Sequence, residues 1–358
     1  MKFLFSCFLL VFLFTGAEVR ADSLDLKIGQ MLMVGLNGTS VSPQSPILEE
    51  IRQGKVGGIL LFEYNIAPVN SREKLLALTN ALQDASPVPL FVAIDQEGGK
   101  VNRLKTKYGF LPVPSARAVG DSNDFEYAAR VAADLSGELQ TCGINLNFAP
   151  VADLHDVFCP VLGKLGRCFS PDPNLVTTYD SLYIEKHRER GILPVMKHFP
   201  GHGSSRSDSH LGLVDVTRTW REEELIPYRR LIGEGMVPMV MSAHIINRQL
   251  DPSGMPATLS PRIINGLLRD SLGFGGVVVS DDMQMHAISS RYTLEESLKR
   301  GIEAGIDLFI FSNNIRGASK YAPANLHAAI RRLVERGEIS QQRIDESYRR
   351  LLALKYRR

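Results

Sequence analysis

The chain has 358 residues, of which 44% are hydrophobic, and its 41 Lys and Arg residues nearly balance its 39 Asp and Glu residues. A chain of this length can bury a large core, as one large domain or two small ones. The near-neutral charge gives no electrostatic footprint for nucleic acid or for an anionic membrane, so we expect neither as a partner.

Residues 1–21 are predicted to be a secretory signal peptide and not part of the fold. Lys2 precedes an apolar run at 3–14, and Val19-Arg20-Ala21 is an A-x-A-like cleavage site. The run is too short for a comfortable membrane span, and an uncleaved anchor helix is the alternative. We therefore expect cleavage after Ala21, export to the periplasm or the medium, and no stable membrane insertion of the mature chain, 22–358.

Three cysteines remain after this cleavage, which is an odd number for an exported chain. Cys159 and Cys168 flank a short loop and can form a disulfide in an oxidising compartment, although sequence alone does not prove the pairing. Cys142 precedes the apolar run 144–148 and is predicted to be a buried, small apolar residue.

Eight short apolar runs, rich in β-branched residues, recur through the mature chain. They are nearly continuous and not alternating, which is typical of strands covered on both faces. The predicted strands are Ile28–Leu36, Gly57–Phe62, Leu90–Asp95, Ile144–Asp153, Ile192–His198, Pro238–Ile245, Gly276–Asp282 and Asp307–Ser312.

Helical patterns fill most of the intervals between these runs. The predicted helices are Ser45–Gln53, Ser71–Asp84, Asp124–Gln140, Pro173–Arg190, Arg221–Gly235, Pro261–Ser271, Leu294–Ala304, Pro323–Arg336 and Gln341–Leu354. Eight alternations of strand and helix predict an α/β fold, a single-domain (β/α)8 TIM barrel that uses nearly the whole mature chain. A doubly wound open sheet is the alternative, but Gly35-Leu36-Asn37-Gly38 does not match its Gly-rich first turn.

Ionisable residues collect at the carboxyl ends of the predicted strands, which share one face of a barrel. These ends and the loop after the fourth strand contribute Asp95, Asp153, Arg167, Lys197, His198, His244 and Asp281. Taken singly, an Asp at a strand end is more often a helix cap, and a buried His is more often a core residue. Because most of the eight ends carry such groups, we predict a functional pocket on this face.

Asp208 and His210 lie two residues apart in the loop after the fifth predicted strand. In extended backbone, side chains at i and i+2 point the same way, so the carboxylate can reach the imidazole. An Asp bound to one ring nitrogen fixes the tautomer and raises the basicity of the other nitrogen, which suits general acid/base chemistry. With a carboxylate on the seventh strand as nucleophile, this pair fits the retaining glycosidase scheme, with His in place of the usual second carboxyl.

Four motifs, in this order, resemble the family 3 glycoside hydrolases, specifically their β-N-acetylglucosaminidase branch. The motifs are IDQEGGKV at 94–101, KHFPGHG at 197–203, DSH at 208–210 and SDDMQM at 280–285. The resemblance spans about residues 25–356 and implies a single catalytic barrel. It implies Asp281 as the nucleophile, His210 as the acid/base and Asp208 as the residue that tunes it.

The same resemblance implies which residues bind a terminal N-acetylglucosamine (GlcNAc). They are Asp95, Arg103, Arg167, Lys197 and His198. It implies an exo-acting β-N-acetylglucosaminidase that acts on peptidoglycan fragments or chito-oligosaccharides. We expect a carbohydrate substrate, no cofactor, no metal ion and a monomeric protein.

Three other functions stay open at this point. A β-N-acetylglucosaminide phosphorylase would use phosphate in place of water with the same residues. A metal-dependent barrel of the amidohydrolase kind would use His198, His202, Asp208 and His210 as ligands, although Pro200 argues against a helix that holds the first two at i,i+4 spacing. A non-catalytic sugar-binding protein would have no need of an intact nucleophile and dyad.

Overall fold

A computed structural model describes residues 23–208, 212–314 and 318–356 of the chain. The fold is a closed barrel of eight parallel strands surrounded by helices, which confirms the predicted (β/α)8 architecture and excludes the open sheet. The predicted signal peptide, residues 1–21, lies outside the described residues and stays a prediction.

All eight predicted runs contain a strand of the barrel. In chain order the strands are β1 Leu32–Gly35, β2 Gly58–Leu61, β3 Phe91–Ile94, β4 Leu146–Asn147, β5 Leu193–Phe199, β6 Val214–Asp215, β7 Met239–Ser242, β8 Ile245–Ile246, β9 Val277–Asp282 and β10 Leu308–Phe311. The barrel runs β1-β2-β3-β4-β5-β7-β9-β10 and closes by pairing of β10 with β1, in the register Met33 to Ile310. The short strands β6 and β8 pair with each other outside the barrel.

The helices follow the predicted pattern with a few differences. They are α1 Leu24–Gln30, α2 Pro46–Arg52, α3 Ser71–Asp84, α4 Ala116–Ser122, α5 Phe125–Thr141, α6 Pro173–Glu189, α7 Ile226–Gly233, α8 His286–Ser289, α9 Leu294–Ala304, α10 Pro323–Glu335 and α11 Gln341–Lys355. The predicted helix Arg221–Gly235 is divided into a 3-10 turn, Glu222–Leu225, and α7. The predicted helix Pro261–Ser271 is a π-helix, Arg262–Ser271.

Burial and capping explain why these segments adopt these structures. Strands β2, β3, β7 and β10 are buried along their full lengths. Each fully buried Leu, Ile, Val or Met contributes roughly 1.5–3 kcal/mol relative to an exposed one, so continuously apolar runs are driven into the barrel. At the helix starts, Asp124 accepts the N–H of Tyr127 at 2.8 Å and Ser340 accepts that of Arg343 at 3.2 Å, which satisfies donors that the helix leaves open.

The amino ends of the barrel strands are covered by α1 and α11, which pack against each other. Lys27 of α1 pairs with Asp345 of α11 at 2.9 Å. Lys355, at the end of α11, donates to the carbonyl of Gly57 at 2.8 Å, immediately before β2. Both described ends of the chain therefore lie at the end of the barrel opposite to the carboxyl ends of its strands.

The three described cysteines correct one expectation. Cys142, Cys159 and Cys168 are all free and buried, so the structure contains no Cys159–Cys168 disulfide. Cys159 Sγ instead lies 3.7 Å from the carbonyl oxygen of His202 and 3.7 Å from Ser205 Oγ. Cys142 is a buried apolar residue, as predicted, and burial raises the pKa of its thiol to about 11.

Across the described ranges, no helix combines the length and the apolar character that a membrane crossing requires.

Candidate active site

A pocket of about 470 Å³ lies at the carboxyl ends of the barrel strands, where the sequence predicts it. This volume is within the range of roughly 300–1,000 Å³ that is usual for small-molecule sites. The predicted site residues that line it are Asp95, Arg103, Arg167, Lys197, His198, Asp208 and Asp281. The structure thus brings together every predicted site residue that it describes, while His210 lies outside the described residues.

A larger cavity, of about 690 Å³, lies at the opposite end of the barrel. It is lined by residues that precede or begin strands, such as Leu90, Leu193 and Pro238. Its lining contains no Asp, Glu or His residue. The chemistry that the sequence predicts therefore belongs to the smaller pocket.

Asp281 lies near the end of β9, where its side chain lines the pocket. Its Oδ1 accepts the backbone N–H of Asp282 at 2.7 Å. The carboxylate of Asp282 is instead held by hydrogen bonds from Ser312 Oγ at 2.5 Å and from the N–H of Gln284 at 3.1 Å. Burial raises the pKa of Asp282, so of two adjacent carboxyl groups one supports the strand end and Asp281 is the candidate nucleophile.

Glu97 lies behind the wall of the pocket and contacts two of the predicted sugar-binding residues, Arg167 and Lys197. Its carboxylate receives Arg167 Nε at 2.8 Å and Arg167 Nη2 at 2.7 Å, and it pairs with Lys197 Nζ at 2.6 Å. Lys197 also donates to Asp95 at 2.8 Å, and Arg103 lies 3.9 Å from the other oxygen of Asp95. The result is a chain of alternating charges along one wall of the pocket, in which each side chain fixes the next.

The buried members of this chain are ionised. Burial alone would raise the pKa of Glu97, but the charges of Arg167 and Lys197 outweigh it and hold the pKa well below its usual value. Burial would likewise lower the pKa of Lys197, and Asp95 and Glu97 reverse that effect. These buried side chains therefore line the wall of the pocket in their charged forms.

Asp153 holds the turn that follows β5. Its Oδ2 accepts a hydrogen bond from His198 Nδ1 at 2.6 Å, and its Oδ1 accepts the backbone N–H of His202 at 2.6 Å. Burial alone would raise the pKa of Asp153, but the interactions with His198 and His202 outweigh this effect, so the pKa is lowered. With its Nδ1 bound in this way, the ring of His198 is held in a fixed orientation where it lines the pocket.

His202, a member of the alternative metal-ligand set, is buried and already has a hydrogen-bond partner. Its Nδ1 is hydrogen-bonded to Ser205 Oγ, and burial together with the charge of His198 lowers its pKa to about 4. Within residues 23–208, 212–314 and 318–356, no group of three or more His, Cys, Asp or Glu side chains is placed to hold a metal ion. The alternative ligand set also includes His210, which the structure does not describe.

Two residues of this site received no role from sequence alone. Glu97 lies inside the motif at 94–101, two positions after Asp95, and this i,i+2 spacing is the signal that could have placed both on one face. Asp153 ends the fourth predicted strand, but its partners are His198 near the end of β5 and His202 in the loop after it. Its role became visible only once β4 and β5 were adjacent.

The chain is similar to known proteins over most of its length. The family model described as glycosyl hydrolase family 3 N terminal domain matches residues 23–354. A "Beta-hexosaminidase" of Alkalilimnicola ehrlichii is 35% identical over 320 residues, which are 87% of this chain and 87% of that protein. A "Beta-hexosaminidase" of Tolumonas auensis is 33% identical over 80% of this chain and 84% of that one.

The chain is also similar to solved structures of related enzymes. A glycoside hydrolase family 3 β-N-acetylglucosaminidase from Paenibacillus sp. superposes with a TM-score of 0.85 at 38% identity. The match covers 93% of this chain but 62% of that one, so this chain spans less than two thirds of that enzyme. A β-N-acetylhexosaminidase from Beutenbergia cavernae has a TM-score of 0.83 at 30% identity and is covered over 98% of its length.

Proposed function

Because the chain belongs to glycosyl hydrolase family 3 and is a glycoside hydrolase, we propose that it removes β-linked GlcNAc from the non-reducing end of glycans with retention of anomeric configuration. The observation that carries this proposal is the presence of Asp281 and Asp208 in one pocket with the chain of charges from Arg103 to Arg167. A sugar bound there would meet the proposed nucleophile, Asp281, and the carboxylate of Asp208, which is proposed to tune the acid/base group.

The proposed reaction has two steps. In the first, the carboxylate of Asp281 attacks the anomeric carbon while the acid/base group protonates the glycosidic oxygen, so the C–O bond to the leaving sugar breaks and an ester forms. In the second, the same group removes a proton from water, which attacks the anomeric carbon and releases GlcNAc with the carboxylate restored. We assign proton transfer to His210, tuned by Asp208, which lies two positions before it in the sequence.

The wall of charges is proposed to bind the sugar hydroxyls. Asp95 is held on one oxygen by Lys197 and approached on the other by Arg103, so its carboxylate has one orientation. Arg167 is fixed by two bonds to Glu97 and a third, at 3.0 Å, to the carbonyl of Val161. Groups that are held before the substrate arrives lose little freedom on binding, which favours both affinity and orientation.

We propose an exo mode of attack, with which the shape of the pocket is consistent. Its inner lining comes from apolar side chains of the strands, including Leu60 of β2, Met241 of β7 and Ile310 of β10. The interior of a barrel beneath such residues is packed with side chains and is not a channel. A closed inner end limits how deep a sugar can reach, which is compatible with attack on the terminal sugar of a glycan.

The first test of this proposal is turnover of para-nitrophenyl β-GlcNAc against the β-glucoside. We expect turnover of the first, with little of the second, and loss of turnover in Asp281→Ala. Equal turnover by wild type and Asp281→Ala would reject the nucleophile. Repeating the assay with phosphate separates hydrolysis, which gives free GlcNAc, from phosphorolysis, which gives a sugar 1-phosphate, and activity that survives a chelator removes the metal-dependent alternative.

The natural substrate and location are a further part of the proposal. We propose that residues 1–21 direct export and that the substrates are peptidoglycan fragments or chito-oligosaccharides. Amino-terminal sequencing of the protein recovered from its host tests this, and we expect it to begin at Asp22. Recovery of the full 1–358 chain in the cytoplasm would contradict it, and the monomeric state stays a prediction for light scattering.

A further inference from the structure

A buried glutamic acid lies beneath the loop that leads from β5 to Asp208. Glu224, in the 3-10 turn Glu222–Leu225, is 2% exposed. Its neighbours Glu222 and Glu223 are exposed and pair with arginines on the surface. One member of an acidic turn is thus directed inward, against a loop of the pocket.

The contact between Glu224 and this loop is close. A Cβ on Gly201 would lie 2.5 Å from Glu224 Oε2 and 2.7 Å from Glu224 Cβ, and Gly201 has a φ of +117°. Only glycine accepts both this backbone angle and this approach. The Glu224 side chain therefore occupies the space that a side chain at position 201 would need, so the carboxyl packs against the backbone of the loop.

The polar atoms at this contact are incompletely satisfied. Among the described residues, Glu224 Oε1, Glu224 Oε2 and Ser204 Oγ are buried without a hydrogen bond of normal geometry. The Ser204 hydroxyl and the N–H of Gly203 are near enough to favour the ionised acid in part. No ion pair between described residues includes Glu224, and a buried carboxylate without a cation is unfavourable.

The groups that face Glu224 from the surrounding elements do not neutralise it. Asp153, from the loop after β4, repels a second negative charge. Tyr228 of α7 and, beyond it, Asp180 of α6 are themselves buried, and burial raises the pKa of each well above its usual value. Burial is the largest effect and raises the pKa of Glu224 to about 7. The Ser204 hydroxyl opposes this rise, the charge of Asp153 adds to it, and the backbone N–H of Gly203 opposes it to a smaller extent.

We propose that Glu224 is a positioning residue that couples proton binding to the placement of residues 201–208, and through them of Asp208. The neutral acid stays beneath Gly201 with the loop seated over Asp153. The ionised acid attracts water, and residues 201–204 move away from it, so Asp208 leaves its place in the pocket. The catalytic consequence rests on the proposed function, whereas the loop movement does not.

The chain contains a natural reporter of this movement. Trp220 is the only tryptophan in the sequence and lies four positions before Glu224. It is 7% exposed, and its Nε1 donates to the carbonyl of Pro200 at 2.9 Å, at the start of the loop. Because indole emission depends on hydrogen bonding and water contact, a displaced loop changes the emission of the intact protein without any substrate.

The first experiment is a pH titration of Trp220 emission in the full protein, from about pH 5 to about pH 9. We expect a one-proton transition with its midpoint near the Glu224 pKa of about 7. Glu224→Gln should abolish the transition and keep the emission of the acidic wild type. The matched control is Glu223→Gln, in the same turn but exposed, and it should keep the transition. His202 has a pKa of about 4 and therefore titrates outside this range. A transition that is absent in the wild type or unchanged in Glu224→Gln would overturn the proposal.

Ser204→Ala keeps the proposal testable if Glu224→Gln does not fold. The Ser204 hydroxyl favours the ionised acid, so its removal should move the midpoint to higher pH. An unmoved midpoint would count against the proposal.

The second experiment connects the movement to activity. In the wild type, kcat/KM on the aryl substrate should fall by about tenfold for each pH unit above the midpoint, and Glu224→Gln should lack this fall. A purely structural role for Glu224 would lower activity equally at all pH values and would overturn the coupling. If the wild type has no glycosidase activity, the proposed function fails, but the emission transition still tests the movement.

Discussion

Glu97→Gln tests whether the carboxylate of Glu97, behind the wall of the pocket, holds the proposed sugar-binding residues in place. The substitution keeps the size of the side chain and an acceptor at Oε1, which faces Arg167 Nη2 at 2.7 Å and Lys197 Nζ at 2.6 Å. It replaces Oε2, which accepts Arg167 Nε at 2.8 Å, with an amide that has no lone pair to offer. One charge-assisted hydrogen bond is lost, and two buried cations lose their shared counter-charge.

The size of the effect follows from these contacts. A hydrogen bond to a charged group contributes about 1.5–3 kcal/mol, and breaking a buried ion pair by removing one partner costs about 3–5 kcal/mol. Because Lys197 retains Asp95, we expect the free energy of unfolding to fall by about 3–5 kcal/mol and not more. A shift of the Arg167 guanidinium by about 1 Å should lower kcat/KM by roughly 10²-fold.

The stability of this variant should also respond differently to acid. The folded-state pKa of Glu97 is lowered from 4.5, so its contribution is fully present above about pH 4.5 and is lost as the pH falls toward the folded-state value. Glu97→Gln removes that contribution at neutral pH. The difference in free energy of unfolding between the wild type and the variant should therefore become smaller as the pH falls below about 4.5.

Urea unfolding at neutral and acidic pH, with kcat/KM on the aryl substrate, measures these effects. Glu63→Gln is the matched control, since Glu63 also pairs with two cations, Lys105 at 2.5 Å and Lys107 at 2.7 Å, but its side chain is 29% exposed against 3% for Glu97. An exposed pair contributes at most about 1 kcal/mol. Equal losses in the two variants would refute the argument from burial.

Three further predictions address the loop, the dyad and the thiols. Gly201→Ala should lower the free energy of unfolding by about 1–3 kcal/mol or more, because Gly201 has a φ of +117° and packs against Glu224. Gly233→Ala is the control, since a Cβ there meets open space. Equal melting temperatures of the two variants would contradict the prediction. Asp208→Asn should lower kcat by roughly 10²–10⁴-fold. The loss should be larger for a sugar leaving group than for para-nitrophenol, because para-nitrophenol needs less protonation to leave. An equal loss for both leaving groups would argue against acid/base tuning by Asp208. A thiol reagent should not react with Cys142, Cys159 or Cys168 until the protein unfolds, since all three are free and buried, and a cross-linked Cys159–Cys168 peptide in a non-reducing digest would disprove it.

The barrel could be predicted because continuous apolar runs are a local property of the chain. Strands buried on both faces need them, and each of the eight runs contains a barrel strand. The same property set the limit of the prediction at Ile28–Leu36, whose first residues belong to α1. A short apolar run does not separate a buried helix turn from a strand. Helix α8 and strands β6 and β8 are too short to produce a periodic pattern.

The pocket was predictable for a similar reason, since the carboxyl ends of parallel strands meet on one face. What sequence could not provide was which charge pairs with which. Glu97 and Arg167 are 70 positions apart, and Asp153 and His198 are 45 apart. The spacing of Cys159 and Cys168 permits a disulfide, yet both thiols pack into an apolar cluster with Val151, Val161 and Leu162. Such pairings depend on side-chain directions that only the folded backbone defines.

The packing of α1 against α11 decides how this protein can be attached to a support. Residues 23 and 356 belong to or adjoin these helices, on the side of the barrel away from the pocket. A bead or a chip joined at either position would leave the mouth of the barrel facing the solution. Large glycans could then reach the immobilised protein as readily as small aryl substrates do.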